Sequence, residues 1–541
     1  MLRIALLTGV RAYQIIEREA GRAASELRGT VELKVFRLPI HVMSLATTEA
    51  LRAAIEVNRE LKSELERFDL IILPGTVKGD AREVEAVVGR PVYKGSADPS
   101  LLSRVLEHVL RGGELSREKA AEDLLLLDRL ESLRSTLRSL TEKSPTAFEV
   151  GSLKVPTRGP PVLLMAETPT WLEVDEICEH VSRLEESGAD AIIVGAPLGE
   201  SAEEVERRFK AASKCVGRAA LGVDSARPAA IERCLDAGAE IAMSIHEGNM
   251  HRFERHRRAK AFVVIPSDPY SSGALASGES VSLLRANLRR AAQLGYEKLL
   301  ADLVTPPPCL GLVEALAGYL ELSSDLSVPP LLMGFANISE LIDADSHGVN
   351  ALLSAIAVEL GVSAVLVVED SWKTRGSTAE VKVGLVMAST AKERGVPPVD
   401  LGVDLILLKS KRGPAAPSLL STARAVIEVP DEVITQRTLD RYRAFVEADH
   451  DRRRLLCCIA EESSESSRCY VGRGALQLLR AVLRDYPDLS REHIAYLGAE
   501  LQKAEEALRA GRSYAQDSPL LASAEEKLRR LEEALGTGSR H

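Results

Sequence analysis

The chain has 541 residues, of which 45% are hydrophobic, 27% charged and 4% aromatic, and its formal net charge is -10. This length suggests about three or four domains, and the composition is typical of a globular protein whose cores consist of Leu, Val, Ile and Ala. The acidic balance argues against a general nucleic-acid surface and against an anionic membrane, because both reward clustered Lys and Arg.

The cysteines and the first residues bear on the compartment. The seven cysteines form no C-x-x-C pair and no metal-ligand spacing. We therefore expect scattered buried thiols in a reducing compartment and assign no residue to a metal. The start, MLRIALLTGV, turns polar after one strand's length, too soon for a signal peptide or a spanning helix. These features predict a cytoplasmic protein.

Residues 1–113 alternate strand and helix patterns and predict a small three-layer parallel sheet. Three strand ends, Thr8-Gly9, Pro74-Gly75-Thr76 and Lys94-Gly95-Ser96, would share one edge of it. Such an edge commonly holds a ligand, but no full glycine-rich phosphate fingerprint is present, so a partner-binding or purely structural module is equally open. Residues 114–160 then predict an amphipathic connecting helix with a Leu stripe, followed by a proline-rich linker.

Residues 161–395 contain eight strand–helix repeats, the strongest structural signal in the chain. Eight repeats in about 235 residues match the size of a closed (β/α)₈ barrel, an α/β fold of the TIM-barrel type. The predicted strands are 162–166, 191–195, 220–223, 241–245, 261–265, 298–301, 331–334 and 364–368.

Residues 400–541 predict a separate C-terminal module of α/β or α+β type. Its predicted strands are 403–408, 425–429 and 453–459, and its predicted helices are 474–485, 491–510 and 523–535.

Polar side chains follow most of the predicted barrel strands. In a closed parallel barrel the carboxyl ends of the strands meet at one edge, where loops build active sites. Asp224 is the first catalytic candidate, although an aspartate there can also cap the helix that follows. A carboxylate accepts two donors from an aminopyrimidine edge, and an asparagine can both donate and accept, so this set suits a pterin. The residues assigned to the site are Glu167, Asp224, Ser244, His246, Asn249, Asp302, Asn337, Lys373 and Arg375.

Three segments resemble the pterin-binding barrels, which include dihydropteroate synthases and methyltetrahydrofolate–corrinoid methyltransferases. Residues 221–241 look like the third-strand segment and residues 299–304 like the sixth, so the resemblance implies that Asp224 and Asp302 bind the pterin. Residues 330–361 look like the seventh-strand segment of the methyltransferase branch and imply that Asn337 contacts the pterin near N5. The whole arrangement is most similar to archaeal-type dihydropteroate synthase-related proteins, with a flavodoxin-like or Rossmann-like N-terminal domain. Residues 495–520 are also similar to segments of the tetrahydromethanopterin S-methyltransferase A subunit.

The sequence departs from the dihydropteroate synthase pattern at its basic and amide positions. Met243 or Ser244 replaces a fourth-strand Asn, and Ile338 replaces a Lys after the seventh strand. Residues 367–369 stand where the family has Arg-x-His, and Glu167 falls near a first-loop Asn that helps to hold pyrophosphate and magnesium.

Only Lys373 and Arg375 could replace the missing positive charge. They precede Gly376 and Ser377 at a helix N-terminus, which is a natural seat for an anion. Alternatively, they form ordinary surface salt bridges with Glu369, Asp370 or Glu380.

The resemblance implies a transferase that joins a dihydropterin diphosphate to an arylamine in tetrahydromethanopterin or modified-folate biosynthesis, with Mg²⁺ as a companion of the pyrophosphate. Methyl transfer from a methyl-tetrahydropterin, or pterin binding without catalysis, are the alternatives. The expected partners are a small-molecule pterin and an arylamine, with no nucleic acid and no membrane. A homodimer, and a corrinoid or methyltransferase partner bound through the C-terminal module, are left open.

Overall fold

The computed structural model describes residues 1–41, 43, 46–268, 277–399, 401–408, 440–450, 452–461 and 467–521. The N-terminal part is a parallel four-stranded sheet in the order β2-β1-β3-β4. Its strands are β1 (Leu2–Thr8), β2 (Val31–Arg37), β3 (Leu70–Leu73) and β4 (Val92–Lys94). Its helices are α1 (Tyr13–Glu26), α2 (Thr48–Val57), α3 (Arg59–Leu65), α4 (Arg82–Val88) and α5 (Leu102–Leu110).

Separate apolar cores on the two faces of this sheet confirm the predicted three layers. Leu51 and Ile55 belong to the core on one face, and Ala20 and Val105 to the core on the other. Helices α2 and α3 are separate, because the side chain of Asn58 accepts a hydrogen bond from Leu61 N (3.1 Å) and caps the second of them. Membership of a flavodoxin-like or Rossmann-like class stays a prediction.

The connection to the barrel contains α6 (Ala121–Lys143) and a hairpin that the sequence did not predict. The hairpin strands are β5 (Thr146–Val150) and β6 (Leu153–Pro156), paired antiparallel. Val150 and Val155 pack against inward-facing barrel residues, so the hairpin extends the interior core of the barrel.

The following eight strands form a closed barrel, which confirms the predicted fold. They are β7 (Leu163–Glu167), β8 (Ala191–Gly195), β9 (Ala220–Asp224), β10 (Ile241–Ile245), β11 (Ala261–Val264), β12 (Lys298–Asp302), β13 (Leu331–Gly334) and β14 (Ala364–Val368). The helices of the barrel are α7 (Ile177–Glu186), α8 (Ala202–Ser213), α9 (Pro228–Asp236), α10 (Ser277–Gln293), α11 (Leu312–Ser323), α12 (Ala336–Ser339), α13 (Ser346–Glu359) and α14 (Ser377–Arg394), with a 3-10 helix at Met250–His256.

The C-terminal module is an antiparallel sheet with helices, and so of α+β type. Its elements are β15 (Tyr442–Asp449), β16 (Arg454–Glu461), β17 (Ser467–Gly472), α15 (Ala475–Asp485) and α16 (Arg491–Ala510). The strand predicted at 453–459 and the helices at 474–485 and 491–510 are confirmed. The strand predicted at 403–408 is wrong, since these residues form no regular structure. The elements predicted at 425–429 and 523–535 lie outside the described residues.

Two cysteine pairs contradict the expectation of scattered buried thiols. Cys178 pairs with Cys215 across neighbouring helices, at a Cα–Cα distance of 5.4 Å. Cys458 and Cys469 face each other in adjacent antiparallel strands and form the second disulfide. Their sequence separations of 37 and 11 residues follow no recognisable spacing, because tertiary packing alone brings them together.

Candidate pterin site

The candidate site lies at the carboxyl ends of the barrel strands. Glu167, Asp224 and Asp302 are the last residues of β7, β9 and β12. β7 and β9 both pair with β8, and the closed order brings the three ends to one rim. The strand periodicity thus predicted this edge correctly, because only the period of the repeats and closure were needed.

Asp302 is held by one of its two carboxylate oxygens. Val304 N (2.8 Å) and the hydroxyl of the buried Tyr319 (2.7 Å) both donate to Oδ1. Val304 adopts a φ of +60°, a costly conformation for a β-branched residue. Among the described residues, no hydrogen bond to Oδ2 is found. Burial raises the pKa of Asp302 to about 6, and the charge of Asp224 adds to this while Tyr319 and Val304 oppose it.

Asp224 and Glu167 form a pair of neighbouring carboxyl groups. Burial raises the pKa of Asp224 to about 6 against the hydrogen bonds from Ser244 and Ser225 N. Burial, together with the charges of Asp224 and Asp370, raises the pKa of Glu167 well above its usual range. Two neighbouring carboxyl groups in such surroundings share protons, so this pair can accept and donate towards the same ligand.

A glycine makes room for the Glu167 side chain. A Cβ atom on Gly195, the last residue of β8, would lie 2.7 Å from Glu167 Oε1 and 2.6 Å from Thr168 O. Any larger residue at the end of β8 would therefore displace the carboxyl group of Glu167.

The loop after β10 positions Ser244, and not all of its predicted site residues are placed to contact a ligand. Ser244 has a φ of +62° at an irregularity of the β10–β11 pairing. Asn249 is buried; its Oδ1 accepts from His246 N (2.8 Å) and its Nδ2 donates to Ser244 O (3.2 Å). Asn249 therefore holds the loop, and we place it as a positioning residue rather than a ligand contact.

His246 lies in the same loop as a neutral imidazole. Its Nδ1 accepts a hydrogen bond from Gly248 N (3.2 Å), so its ring proton is on Nε2. Burial lowers the pKa of His246, while the charge of Asp268 opposes the shift. Among the described residues, the Nε2–H of this neutral ring has no acceptor, so it is suited to donate to a ligand carbonyl.

Asn337 stands on α12, at the rim beyond β13, and is exposed. Its Nδ2 donates to Thr305 O (2.9 Å) in the loop after β12. The amide group therefore joins the loops of two neighbouring strands. Its contact with a pterin stays a prediction.

The N-terminus of α14 already holds an anion, which is the carboxylate of Glu369. Its Oε1 accepts from Thr378 N (3.1 Å), and its Oε2 lies 2.6 Å from Arg183 Nη1. Burial opposes ionisation of Glu369, but Arg183 and the amide of Gly376 outweigh it and lower its pKa. The predicted phosphate seat at Gly376–Ser377 is thus occupied by a residue of the chain itself.

Lys373 and Arg375 are both engaged in other contacts. The ammonium group of Lys373 donates to the carbonyls of Glu340 (2.9 Å) and Ile342. Arg375 lies over the ring of Trp372, 5.0 Å from its centroid, and its Nη2 donates to His450 O (3.4 Å) in the C-terminal module. Among the described residues, Lys373 makes no salt bridge to Glu369, Asp370 or Glu380, and the contacts of both side chains link neighbouring loops.

The Arg183–Glu369 pair makes a testable contribution to stability. We expect Arg183→Met to lower the free energy of unfolding of the barrel by about 3 kcal/mol at pH 7, because it leaves a buried carboxylate unpaired. Because the folded-state pKa of Glu369 is lowered, its stabilisation is present above the ordinary value and is lost as pH falls through the folded pKa. Urea unfolding at pH 7 and pH 4 measures both effects.

Arg255→Met is the matched control, since Arg255 pairs with Asp236 and is 54% exposed. Little change is expected for it at either pH. A loss for Arg183→Met no larger than that of the control would contradict the assigned role of the buried pair.

The part of the chain that the structure describes contains neither a cluster of metal-ligating side chains nor a membrane-spanning helix. There, no group of three or more His, Cys, Asp or Glu is arranged to hold a metal ion. No described helix is long and apolar enough to cross a membrane.

A family model and an archaeal relative match parts of the chain. Residues 438–517 match the family model described as PterinBD-DUF4346. The match covers the C-terminal module, and the description of the model agrees with the resemblance to pterin-binding proteins seen in the sequence. An uncharacterized protein of Methanocaldococcus jannaschii is 26% identical over 506 residues, which are 89% of this chain and 94% of that relative.

Two solved dihydropteroate synthases resemble the chain distantly. The Yersinia pestis enzyme with a pterine-sulfa conjugate is 18% identical, with 45% of this chain and 98% of that chain covered and a TM-score of 0.35. The Xanthomonas albilineans enzyme with 7,8-dihydropteroate is 20% identical, with 43% and 93% covered and a TM-score of 0.35. The barrel assignment comes from the strand order of the chain itself.

Proposed function

We propose that the rim of the barrel binds a reduced pterin and carries out a transferase reaction of the dihydropteroate synthase type. The observation that supports this is the set of three carboxyl groups at the ends of β7, β9 and β12, and among the described residues no hydrogen bond to Asp302 Oδ2 is found. A pterin presents adjacent N–H donors on its aminopyrimidine edge, which carboxylate oxygens accept. In this proposal Asp302 binds that edge, and Asp224 and Glu167 face the remaining ring nitrogens.

The proposed reaction joins a hydroxymethyl-dihydropterin diphosphate to an arylamine. The bond between the exocyclic carbon and the bridging oxygen breaks, and pyrophosphate leaves with the electron pair. The arylamine nitrogen forms the new bond to that carbon and releases one proton to pyrophosphate or solvent. The carboxylates would stabilise the positive charge that develops on the pterin, as preorganised electrostatic groups do.

The charge of the leaving group needs cations, and the barrel rim offers none that is uncommitted among the assigned residues. The turn between β15 and β16 does offer uncommitted cations. Its His450 ring lies 5.2 Å from the ring of Trp372, next to the rim, and after Asp451 come three arginines. Arg454 pairs with Asp449 (2.8 Å), whereas Arg452 and Arg453 are exposed and have no ion-pair partner among the described residues. We propose that these two meet the diphosphate.

We expect the double variant Arg452→Ala/Arg453→Ala to weaken binding of the pterin diphosphate about 30-fold, because two charge-assisted contacts are lost. Binding of the unphosphorylated pterin should not change. Titration calorimetry with both ligands, and pyrophosphate release on addition of an aminobenzoate, measure the effects.

The control is Arg484→Ala/Arg491→Ala, which removes the same charge from the same module. Arg491 begins α16, whose preceding Ser490 contacts Asp440 before β15, at the end of the sheet opposite the turn. An equal loss in both double variants would mean that only the net charge matters, and would contradict the assignment to the turn.

A second candidate is methyl transfer from a methyl-tetrahydropterin, or pterin carriage without catalysis. The occupation of the α14 N-terminus by Glu369 favours it, because an internal carboxylate there repels a diphosphate. Absence of pyrophosphate release with a retained affinity for unphosphorylated pterin would support this candidate. A cobalamin spectral change on addition of a methyl-pterin would then separate transfer from carriage.

A further inference from the structure

The N-terminal domain contains a cavity of about 220 Å³ at the carboxyl edge of its sheet. It lies between β1 and β3, the two central strands of the order β2-β1-β3-β4. The chain leaves β1 towards one side of the sheet and returns to β3 on the other, so the order reverses between these strands. In open parallel sheets this switch point is the place where ligands bind.

The walls of the cavity are mostly apolar. The side chains that form them come from β1, α1, β3 and α5, and include Leu6, Ile16, Ile72 and Leu102. A benzene ring occupies a cavity of about 150 Å³ in a protein core, so the space here takes a single ring with a substituent. The apolar walls are suited to the faces of such a ring.

One buried polar atom in the lining lacks a partner. Thr8, the last residue of β1, is fully buried, and its Oγ1 has no hydrogen-bond partner among the described residues. An unpaired buried hydroxyl costs free energy unless a ligand or a water satisfies it. Thr8 also lines the cavity, so its hydroxyl is available to a polar atom of a ligand.

The positive end of the cavity is the start of α1. This 14-residue helix has no capping side chain at Ala12 and no acidic residue in its first turn, which leaves its first amides to an outside acceptor. Arg11 precedes it, lines the cavity and is exposed. Together they favour an anionic group at this end.

The opposite loop, residues 96–98, is already committed within the chain. Glu122 Oε1 accepts from Ser96 Oγ (2.6 Å) and Asp98 N (3.0 Å), which fixes the loop. Its backbone amides are therefore not available to the same anion. The anionic group of a ligand is consequently directed to α1, and the ring to the space between Ile16 and Leu102.

We propose that this cavity is a second ligand site, independent of the barrel, which binds a single-ring aromatic anion such as an aryl carboxylate or an aryl phosphate. The ring lies between the apolar walls, the anion lies at Arg11 and the first turn of α1, and Thr8 Oγ1 donates to the ligand. The turn after β1 lacks a glycine-rich dinucleotide fingerprint, and the volume is too small for a dinucleotide.

The test is calorimetric titration of the full chain with phenyl phosphate and with benzoate. Benzyl alcohol, which has the ring but no charge, and inorganic phosphate, which has the charge but no ring, are half-ligands for comparison. At least one aromatic anion should bind saturably, and each half-ligand at least tenfold more weakly. Arg11→Ala is expected to weaken the aromatic anion about tenfold, and Thr8→Val several-fold.

Two control variants isolate the site. Arg28→Ala removes an exposed charge beyond the other end of α1, and Asp302→Asn alters the barrel; both should leave aromatic-anion binding unchanged. No saturable binding of either aromatic anion would overturn the proposal, as would binding unaffected by both Arg11→Ala and Thr8→Val. Equal affinity for benzyl alcohol would contradict the proposed contact between the anionic group and α1. Loss of aromatic-anion binding in Asp302→Asn would assign the binding to the barrel.

Discussion

Replacing Asp302 with asparagine is expected to weaken pterin binding about 100-fold. The substitution preserves the size of the side chain and an oxygen that can accept from Tyr319 and Val304 N, so the fold is retained. It removes the negative charge and turns one acceptor into a donor, which then faces the N–H groups of the pterin. Loss of a charge-assisted pair costs about 1.5–3 kcal/mol, and each 1.4 kcal/mol is tenfold in affinity. Fluorescence titration with a dihydropterin measures the change.

The matched control is Asp343→Asn, because Asp343 is an exposed carboxylate in the loop after α12. It should bind the pterin as the unaltered chain does. Tyr319→Phe is an intermediate variant, because it removes one donor to Asp302 Oδ1 and leaves the carboxylate in place. We expect it to weaken pterin binding only several-fold. Equal affinities for Asp302→Asn and the unaltered chain would remove Asp302 from the site.

The barrel could be predicted from the sequence because its information is local and repeated. Each strand is a short apolar run followed by a helical pattern, and the polar residues mark where the run ends. Asp224 and Asp302 therefore needed only the strand boundary to be placed at the rim. The resemblance to pterin-binding barrels named the same two residues.

The electrostatics of the rim could not be predicted in this way. Glu369 and Arg183 are 186 residues apart in sequence, and only the tertiary fold, which brings α7 to the end of β14, makes them a pair. Without that contact, Gly376 and Ser377 suggest an empty anion seat. Tyr319 was missed for the same reason, because it is one aromatic residue in an apolar helix and nothing local indicates that its hydroxyl reaches Asp302.

The flanking modules were predicted less completely, for reasons of size and pattern. The β5–β6 hairpin has strands of only five and four residues, and it is stabilised by the barrel core against which it packs. In the C-terminal sheet, Tyr442–Asp449 alternates buried and exposed positions, but its outward residues include Phe445, which obscures the period. Tertiary context outweighs local pattern at such sites.

Pterin binding is also expected to weaken about 100-fold when the pH falls from 7.5 to 5. Asp224 and Asp302 each have a pKa of about 6 in the free protein, and a ligand that donates N–H groups binds their ionised forms. At one pH unit below its pKa each carboxylate is about one-tenth ionised, so two of them reduce affinity about tenfold each. Titrations over this pH interval, with a pterin that does not itself titrate there, give the slope.

The stability of the free protein should change in the opposite direction over the same interval. Both folded-state pKa values are raised, so the two groups stabilise the fold fully below their ordinary pKa, and this contribution is lost as pH rises through about 6. The ligand-free chain thus loses stability where the ligand gains affinity, and bound pterin should raise Tm more at pH 7.5 than at pH 5. Asp224→Asn should reduce the pH effect on affinity to about tenfold, because one titrating group remains. A pH-independent affinity in the unaltered chain would mean that neither carboxylate meets the N–H edge of the pterin, and the ligand would then have to be held by His246 and the backbone alone.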